Sequence, residues 1–488
     1  MTLKKKSLGI NALLNGIKSL LNLLFPLITF PYVSRVLGAK GIGIYNFSNS
    51  VVSYFLLIAG LGISTYAVRE GAKYREDYSK INRFSSEVFS INLISTVIAY
   101  VLLVVSLVIF KDLQKDYLCI LIFSIQIFFT TIGTDWLYTI YEEYAYITIR
   151  SIIFNIISLI LLFVLVRNSE DYLQYAAVTV IAAVGSNLLN FIHARKLVDI
   201  KLTVHLNLKY HLKPILIIFA SSIGVMIYVN SDITILGIMK DSYTVGIYSV
   251  SAKIYSIVKS IITALLVVTV PRLALLWGKH KFREYIIILK TVINNLVVLV
   301  IPCMVGLVML SKEIIIIISG KGFIKAKSSL QILCIALVFS LFAWIISDCV
   351  LIPAKREKKV FLATCISAVL NITINLIFIP HFSENAAAFS TVVAEGSMMI
   401  INFYYARDVI GDIIKSKSFL NNLITAVLGS LGIILVCYIC RFGWHSLILR
   451  TFVSIVLSVL MYISILVLFK NEIALKIVNK YISRYKSN

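Results

Sequence analysis

Residues 86–110 read SEVFSINLISTVIAYVLLVVSLVIF, and past Glu87 no charged side chain follows until Lys111. An α-helix rises about 1.5 Å per residue, so a run of this length crosses the roughly 30 Å hydrocarbon core of a bilayer. Comparable runs recur at 9–32, 43–66, 117–140, 145–166, 172–193, 214–239, 243–270, 285–310, 328–352, 360–379, 385–405, 419–440 and 446–469, separated by short charged breaks. The pattern predicts an all-α polytopic membrane protein of about 14 transmembrane helices.

Composition leads to the same class. Of 488 residues, 59% are hydrophobic and 14% charged, with a mean hydropathy of +0.94. A water-soluble core cannot take up that much apolar side chain, so lipid is the solvent. A net charge of +23 would suggest nucleic acid in a soluble chain. Here the basic residues cluster in the breaks, which points to membrane topology and to the anionic headgroups of membrane lipids, with no nucleic acid as partner. The breaks on one side hold 30 Lys and Arg and those on the other hold 11, so the positive-inside rule places both termini in the cytoplasm and requires an even number of spans. Lys4, Lys5 and Lys6 precede an apolar run that continues to about Tyr32 without a small-residue cleavage site. It reads as a retained first span.

An internal repeat is visible. Leu37-Gly38 and Gly43-Ile44-Tyr45-Asn46-Phe47-Ser48 follow the first span; Leu236-Gly237 and Gly246-Ile247-Tyr248-Ser249-Val250-Ser251 follow the seventh. The offset of six spans is even, which makes the halves parallel repeats about an axis along the membrane normal. The expected organisation is a six-helix lobe at 1–200, a second at 201–410, and two further helices with a cytoplasmic tail at 411–488, with the lobes around a central cavity.

Polar side chains are costly in lipid, so their placement is informative. Asn11, Asn15, Lys18 and Asn22 share one face of the first span, and Ser249, Lys253, Ser256 and Ser260 share one face of the eighth. The repeat aligns Ser249, Lys253 and Ser256 with Asn46, Ser50 and Ser53; Thr364, Ser367, Asn371 and Asn375 form a fourth stripe. Lys18 and Lys253 lie about 15 Å from their span ends, near the midplane, where an ammonium needs an anion or water. Lys259 and Lys290 lie nearer the cytoplasmic side, within reach of snorkelling. The deepest acids are Asp232 and Glu395, candidates for coupling or gating. Helix-to-helix hydrogen bonding is the competing reading of the Asn and Ser members.

Other chemistry finds little purchase. Seven cysteines all fall in apolar runs, and the Cys437-x-x-Cys440 pair has no second pair. No G-x-x-x-x-G-K-[ST] and no H-E-x-x-H occurs, so no cofactor, metal or catalytic site is expected and the chain is not itself an ATP motor. Pro26, Pro31 and Pro302 are expected to kink or break their helices.

Three stretches carry a family resemblance: Pro26-Leu-Ile-Thr-Phe-Pro31-Tyr-Val-Ser-Arg35-Val-Leu-Gly38 with Gly43-Ile-Tyr45; Ala67-Val-Arg69-Glu70; and Asp135-Trp136-Leu137-Tyr138 through Glu142-Glu143-Tyr144 to Tyr146-Ile147-Thr148-Ile149-Arg150. Together they resemble the O-antigen and capsule repeat-unit flippases, with Ile140 a departure where many relatives carry a small residue. The resemblance covers in detail about the first 200 residues. It implies the multidrug/oligosaccharidyl-lipid/polysaccharide exporter fold, a bacterial cytoplasmic (inner) membrane, an undecaprenyl-diphosphate-linked oligosaccharide as cargo and a polysaccharide polymerase as partner. Arg35 and Arg69 match recurrent basic positions and join Asp232 and Glu395 as candidates for coupling or gating.

The resulting expectation is a flippase that works by alternating access. Lys18 and Lys253 would bind the diphosphate, Lys259 and Lys290 would guide it in, and Asn15, Asn22, Asn46, Ser50, Ser249, Ser256, Asn371 and Asn375 would line the cavity. A multidrug/cation antiporter of the same superfamily would depend instead on Asp232 or Glu395. A membrane glycan polymerase would need a sizeable outer loop with an acid/base pair, and the longest outer break, 311–327, offers none.

Overall fold

The computed structural model describes residues 8–443, 446–469 and 471, with side chains from residue 25 onward. Among the described residues all regular structure is helical. The chain divides into two compact units, Met1–Ser249 and Val250–Asn488.

The first unit contains α1 (Leu8–Gly60), α2 (Ile63–Gly71), α3 (Tyr78–Ile109), α4 (Lys111–Gln114), α5 (Tyr117–Gly133), α6 (Asp135–Ile140), α7 (Tyr144–Leu165), α8 (Tyr172–Val184), α9 (Asn187–Ala194) and α10 (Leu208–Met239), and α11 (Ser242–Val267) begins in it. The second unit continues with α12 (Val270–Gly278), α13 (Phe282–Met309), α14 (Ser311–Ser319), α15 (Ala326–Ile345), α16 (Glu357–Ile414), α17 (Lys417–Gly443) and α18 (Leu447–Leu468). Among the described residues eleven helical stretches are long and apolar enough to cross a membrane, and α5 is a shorter apolar helix. The exposed surface of α3 is a strip of Ile94, Val97, Ile98, Val101, Val104, Val105 and Val108. Such a strip is tolerable only against lipid.

Two of the long helices are pairs joined at a sharp turn. The backbone of α1 leaves helical geometry at Gly38 (φ 66°, ψ −176°), and that of α16 does so at Ser383 (φ 50°, ψ −127°). Gly38 suits this left-handed conformation because it has no Cβ. None of the three prolines breaks its helix: α1 runs through Pro26 and Pro31, and α13 runs through a buried Pro302. The break in α1 falls at the glycine. A proline inside a helix removes one hydrogen bond, and the neighbouring turns and packed helices absorb that loss more readily than a reversal of direction.

In the first unit α1 packs against α3, α5, α7, α8 and α10. Here the two copies of the sequence repeat meet. A Cβ on Gly43 would fall 1.6 Å from the Ser242 carbonyl oxygen, and one on Gly246 would fall 1.8 Å from the Ala39 carbonyl oxygen. The contact is reciprocal, each copy pressing its glycine onto the backbone of the other. A third contact seats Gly237 against the Phe47 ring, 2.1 Å from where a Cβ would stand. The motif was legible as a repeat; its purpose here is close backbone approach.

In the second unit α15 packs on α16, α13 on α15 and α17, and α17 on α18. α15 runs into a π-helical turn, Ile346–Leu351, where the Asn402 amide donates to Ser347 Oγ at 2.8 Å and the Tyr285 hydroxyl donates to the Cys349 carbonyl at 2.8 Å. These side chains take up polar groups that the irregular turn leaves available.

The glycine contacts yield a test. Gly246→Val should destabilise the folded protein by about 3 kcal/mol or more, the cost of overpacking against an immovable backbone. Gly411→Ala, where an added Cβ meets nothing within 4 Å, should be neutral or stabilise by about 0.5 kcal/mol. Thermal unfolding of the purified protein in detergent would separate the two.

Candidate functional site

Lys18, Asn15 and Asn22, with Asn11, lie outside the described side chains, so the first stripe cannot be placed. The other three stripes can. In the second arm of α1, the Asn46 amide donates back to Ile42 O at 2.8 Å and Ser53 Oγ donates to Asn49 O at 2.7 Å. Ser50 reaches across to α10, donating to Asn230 O at 3.2 Å and sharing a 2.7 Å hydrogen bond with Thr234 Oγ1. The α16 stripe links its two arms: Ser367 bonds Ser397 at 2.9 Å, the Asn371 amide donates to Ser390 Oγ at 3.1 Å, and the Asn375 amide donates to Asn371 Oδ1 at 3.2 Å. In these two stripes, helix-to-helix and within-helix bonding occupies the polar groups.

The α11 stripe divides. Ser251, on its neighbouring face, bonds Ser329 Oγ at 2.8 Å and donates to Ala326 O at 2.9 Å. Ser249 is buried and its hydroxyl has no hydrogen-bond partner among the described residues. Ser256 is exposed. Lys259 Nζ lies 2.9 Å from Glu395 Oε1, and the Tyr255 hydroxyl donates to the same oxygen at 3.2 Å. Tyr255 also presents its ring to the ammonium, 5.6 Å from the centroid. Glu395 is 5% exposed at its side chain and Lys259 32%. Two of the expected site residues, one assigned to cargo and one to coupling, are therefore partners in one ion pair. Lys253, half-buried and about 16 Å along α11 by helical rise, makes no hydrogen bond or ion pair among the described residues.

The remaining expected residues lie apart from that pair. Buried Asp232 on α10 accepts from the Tyr248 hydroxyl of α11 at 2.6 Å. Lys290 is half-buried on α13. Arg35 is exposed. Arg69 is exposed and pairs with Glu70 at 3.2 Å.

Sequence reasoning missed three groups. Tyr255 lies one turn before Lys259 on the same face, and the i, i+4 spacing was there to be read. Arg150 has a buried side chain, 3.8 Å from Asp135 and over the Tyr146 ring at 5.3 Å. Asp135 also accepts from the Asn190 amide at 2.7 Å. Glu87 and His211 form a buried chain in which Tyr66 bonds His211 Nδ1 at 2.7 Å, His211 Nε2 bonds Glu87 at 2.7 Å and Arg83 donates to Glu87 at 2.8 Å. These partners lie far apart in sequence, so no local spacing marks them. A separate apolar cavity of about 390 Å³ in the second unit is lined by residues that include Val297, Ile301, Phe339, Met399 and Phe419.

Lipid-length helices that carry inward polar stripes and a buried ion pair define a polytopic membrane protein of transporter type. Two solved structures share the fold. The lipid II flippase MurJ, in an inward closed conformation, superposes with a TM-score of 0.75 at 16% identity over 94% of this chain and 99% of that one. A multidrug resistance MATE family transporter of the MOP superfamily, inward-facing, gives 0.64 at 13% identity over 83% and 99%. The chain belongs to the polysaccharide biosynthesis protein family, whose model matches residues 8–277. Among curated proteins it is similar to one from Escherichia coli (strain K12) named for O-antigen transport, 22% identical over 296 residues, 60% of this chain and 71% of that one. It is also similar to Agl15 of Haloferax volcanii, named as a low-salt glycan biosynthesis flippase, 27% identical over 185 residues, 38% and 39%.

The ion pair predicts a coupled energetic response. Lys259→Ala and Glu395→Ala should each destabilise by about 1–3 kcal/mol, since each leaves a partner charge desolvated. The double variant should lose less than the sum, by at least about 1 kcal/mol in a double-mutant cycle of unfolding free energies.

Proposed function

We propose that the chain is a flippase that moves an undecaprenyl-diphosphate-linked oligosaccharide repeat unit from the cytoplasmic to the outer leaflet for capsule, O-antigen or exopolysaccharide assembly. Family membership and the names of its relatives support a transporter of lipid-linked glycan and not an enzyme. On this reading the protein resides in a bacterial cytoplasmic membrane with both termini in the cytoplasm and hands its product to a polysaccharide polymerase. Fourteen spans fit the kinked helices, with α1 and α16 each contributing two and the shorter α5 one. Parallel six-helix lobes at 1–200 and 201–410, with 411–488 appended, alternate access to a cavity between them.

The observation that carries the cargo assignment is Lys253. An ammonium at mid-span costs about 2.5–3.5 kcal/mol on insertion scales, and it persists where function needs it. A diphosphate supplies the counter-charge that the described side chains do not, and Lys18, in the first span, is proposed to bind it together with Lys253. Lys259 and Lys290 stand further toward the cytoplasmic side, where Lys259 can exchange Glu395 for the incoming anion. The sugar occupies water and the prenyl chain stays in lipid or against apolar surface such as that around Phe339 and Met399. Cation antiport receives less support, because Glu395 already holds Lys259 and Asp232 already accepts from Tyr248.

Two experiments test this. Lys253→Met should keep or raise thermal stability while lowering export of repeat units at least tenfold, the opposite of what a structural lysine would give. In cells that lack the protein, completed lipid-linked units should collect on the inner leaflet; wild type should release them, and Lys18→Ala/Lys253→Ala, expressed equally, should not. Units that reach the outer leaflet without the protein would sink the flippase reading and make drug antiport the next assay.

A further inference from the structure

The second unit holds a cavity of about 300 Å³, separate from the ion pair, lined by Met309, Lys312, Glu313, Lys327, Arg441 and Arg450. Five helix ends converge on it: α13 ends at Met309, α14 begins at Ser311, α15 at Ala326, α17 ends at Gly443 and α18 begins at Leu447. Three of these are N-termini, whose free N–H groups add partial positive charge. Four basic side chains therefore face one carboxylate where these helix ends meet.

The internal pairing accounts for only part of this set. Arg450 donates to Glu313 Oε1 at 3.1 Å, and Arg441 donates to the Met309 carbonyl at 3.2 Å. The ammonium groups of Lys312 and Lys327 have no hydrogen bond or ion pair among the described residues, and both side chains are exposed. The second carboxylate oxygen, Glu313 Oε2, is buried and also lacks a partner among the described residues, in a residue only 5% exposed. Buried polar atoms are ordinarily satisfied, so an orphaned acceptor beside unpaired cations describes a ligand with both an anionic group and a donor. Phe442, Ile448 and Phe452, neighbours in sequence of the cavity residues Arg441 and Arg450, are 78%, 69% and 65% exposed. Acyl chains would cover such side chains, whereas a soluble anion would leave them bare.

We propose that this cavity binds the headgroup of a membrane phospholipid that carries an N–H donor as well as its phosphate, of the phosphoethanolamine type. Lys312, Lys327 and Arg441 take the phosphate, Glu313 Oε2 accepts from the ammonium, and the acyl chains lie along Phe442 and Phe452. The site docks a lipid to the last helix pair and does not depend on the cargo proposed above.

The test is native mass spectrometry of the full chain, delipidated in detergent and titrated with phosphatidylethanolamine and with phosphatidylcholine, which has the same phosphate and charge but no N–H donor. One phosphatidylethanolamine per chain should bind at least fivefold more tightly than phosphatidylcholine. Lys312→Gln/Lys327→Gln should weaken both lipids about tenfold, and Glu313→Gln should remove the preference, since its carboxamide still accepts from Arg450 but offers N–H where Oε2 stood. Because the lysines are exposed, their substitution should leave thermal unfolding unchanged, and Lys327→Gln alone serves if the pair misfolds. Equal affinity of the wild type for both lipids, indifference to the lysine substitutions, or displacement of lipid by millimolar inorganic phosphate would overturn the proposal, the last outcome marking a free-anion site.

Discussion

Lipid offers no hydrogen bonds, and the rest of this structure depends on that. Every backbone amide in a span must be satisfied by its own helix, and every polar side chain must find a partner within the protein, reach water or hold a ligand. The described helices obey this closely. Ser and Thr hydroxyls return to carbonyls one turn back, and the pairs Ser367–Ser397 and Asn371–Ser390 join the two arms of α16. The buried acids have donors: Glu395 has Lys259 and Tyr255, Asp232 has Tyr248, and Glu87 has Arg83 and His211.

Several buried polar atoms lack a partner among the described residues, and among such exceptions the charged groups are the most informative. Lys253 keeps an ammonium in the middle of α11 without an ion partner among the described residues, although its repeat counterpart Ser50 is fully engaged with α10. On the proposed function, the lysine that stands where the other copy has a bonded serine is there to meet an anionic cargo. Lys259 shows the other solution, a charge neutralised by Glu395 and available only by exchange. Elsewhere in the second unit, Glu313 Oε2 with Lys312 and Lys327 repeats the logic of unmet polar demand.

The same constraint governs how the helices turn. With no water to solvate a loose loop inside the bilayer, reversals are short and sterically exact in their demands. Gly38 supplies a positive φ, and Ser383 adopts one at a strained turn. Gly43 and Gly246 let two backbones touch where any side chain would collide with a carbonyl oxygen. Repeat motifs of small residues thus serve packing first, and whatever motion accompanies transport must preserve or break these contacts as units.

The amino-acid sequence by itself determined that lipid is the solvent, where most spans run, which residues sit at equivalent places in the two repeats and which family the chain belongs to. Those properties are local or periodic: hydropathy over about 20 residues, helical spacing along one face, and short motifs. It made the polar stripes visible but could not divide them. Asn371 and Lys253 look alike as mid-span polar residues; only the approach of the second arm of α16 gives Asn371 a partner, and no described side chain gives one to Lys253. Lys259 and Glu395 lie 136 residues apart, Glu87 and His211 124 apart, and Glu313 and Arg450 137 apart. Which charge meets which is decided by helix packing, because pairing across such separations is a property of distance in space that no spacing along the chain encodes.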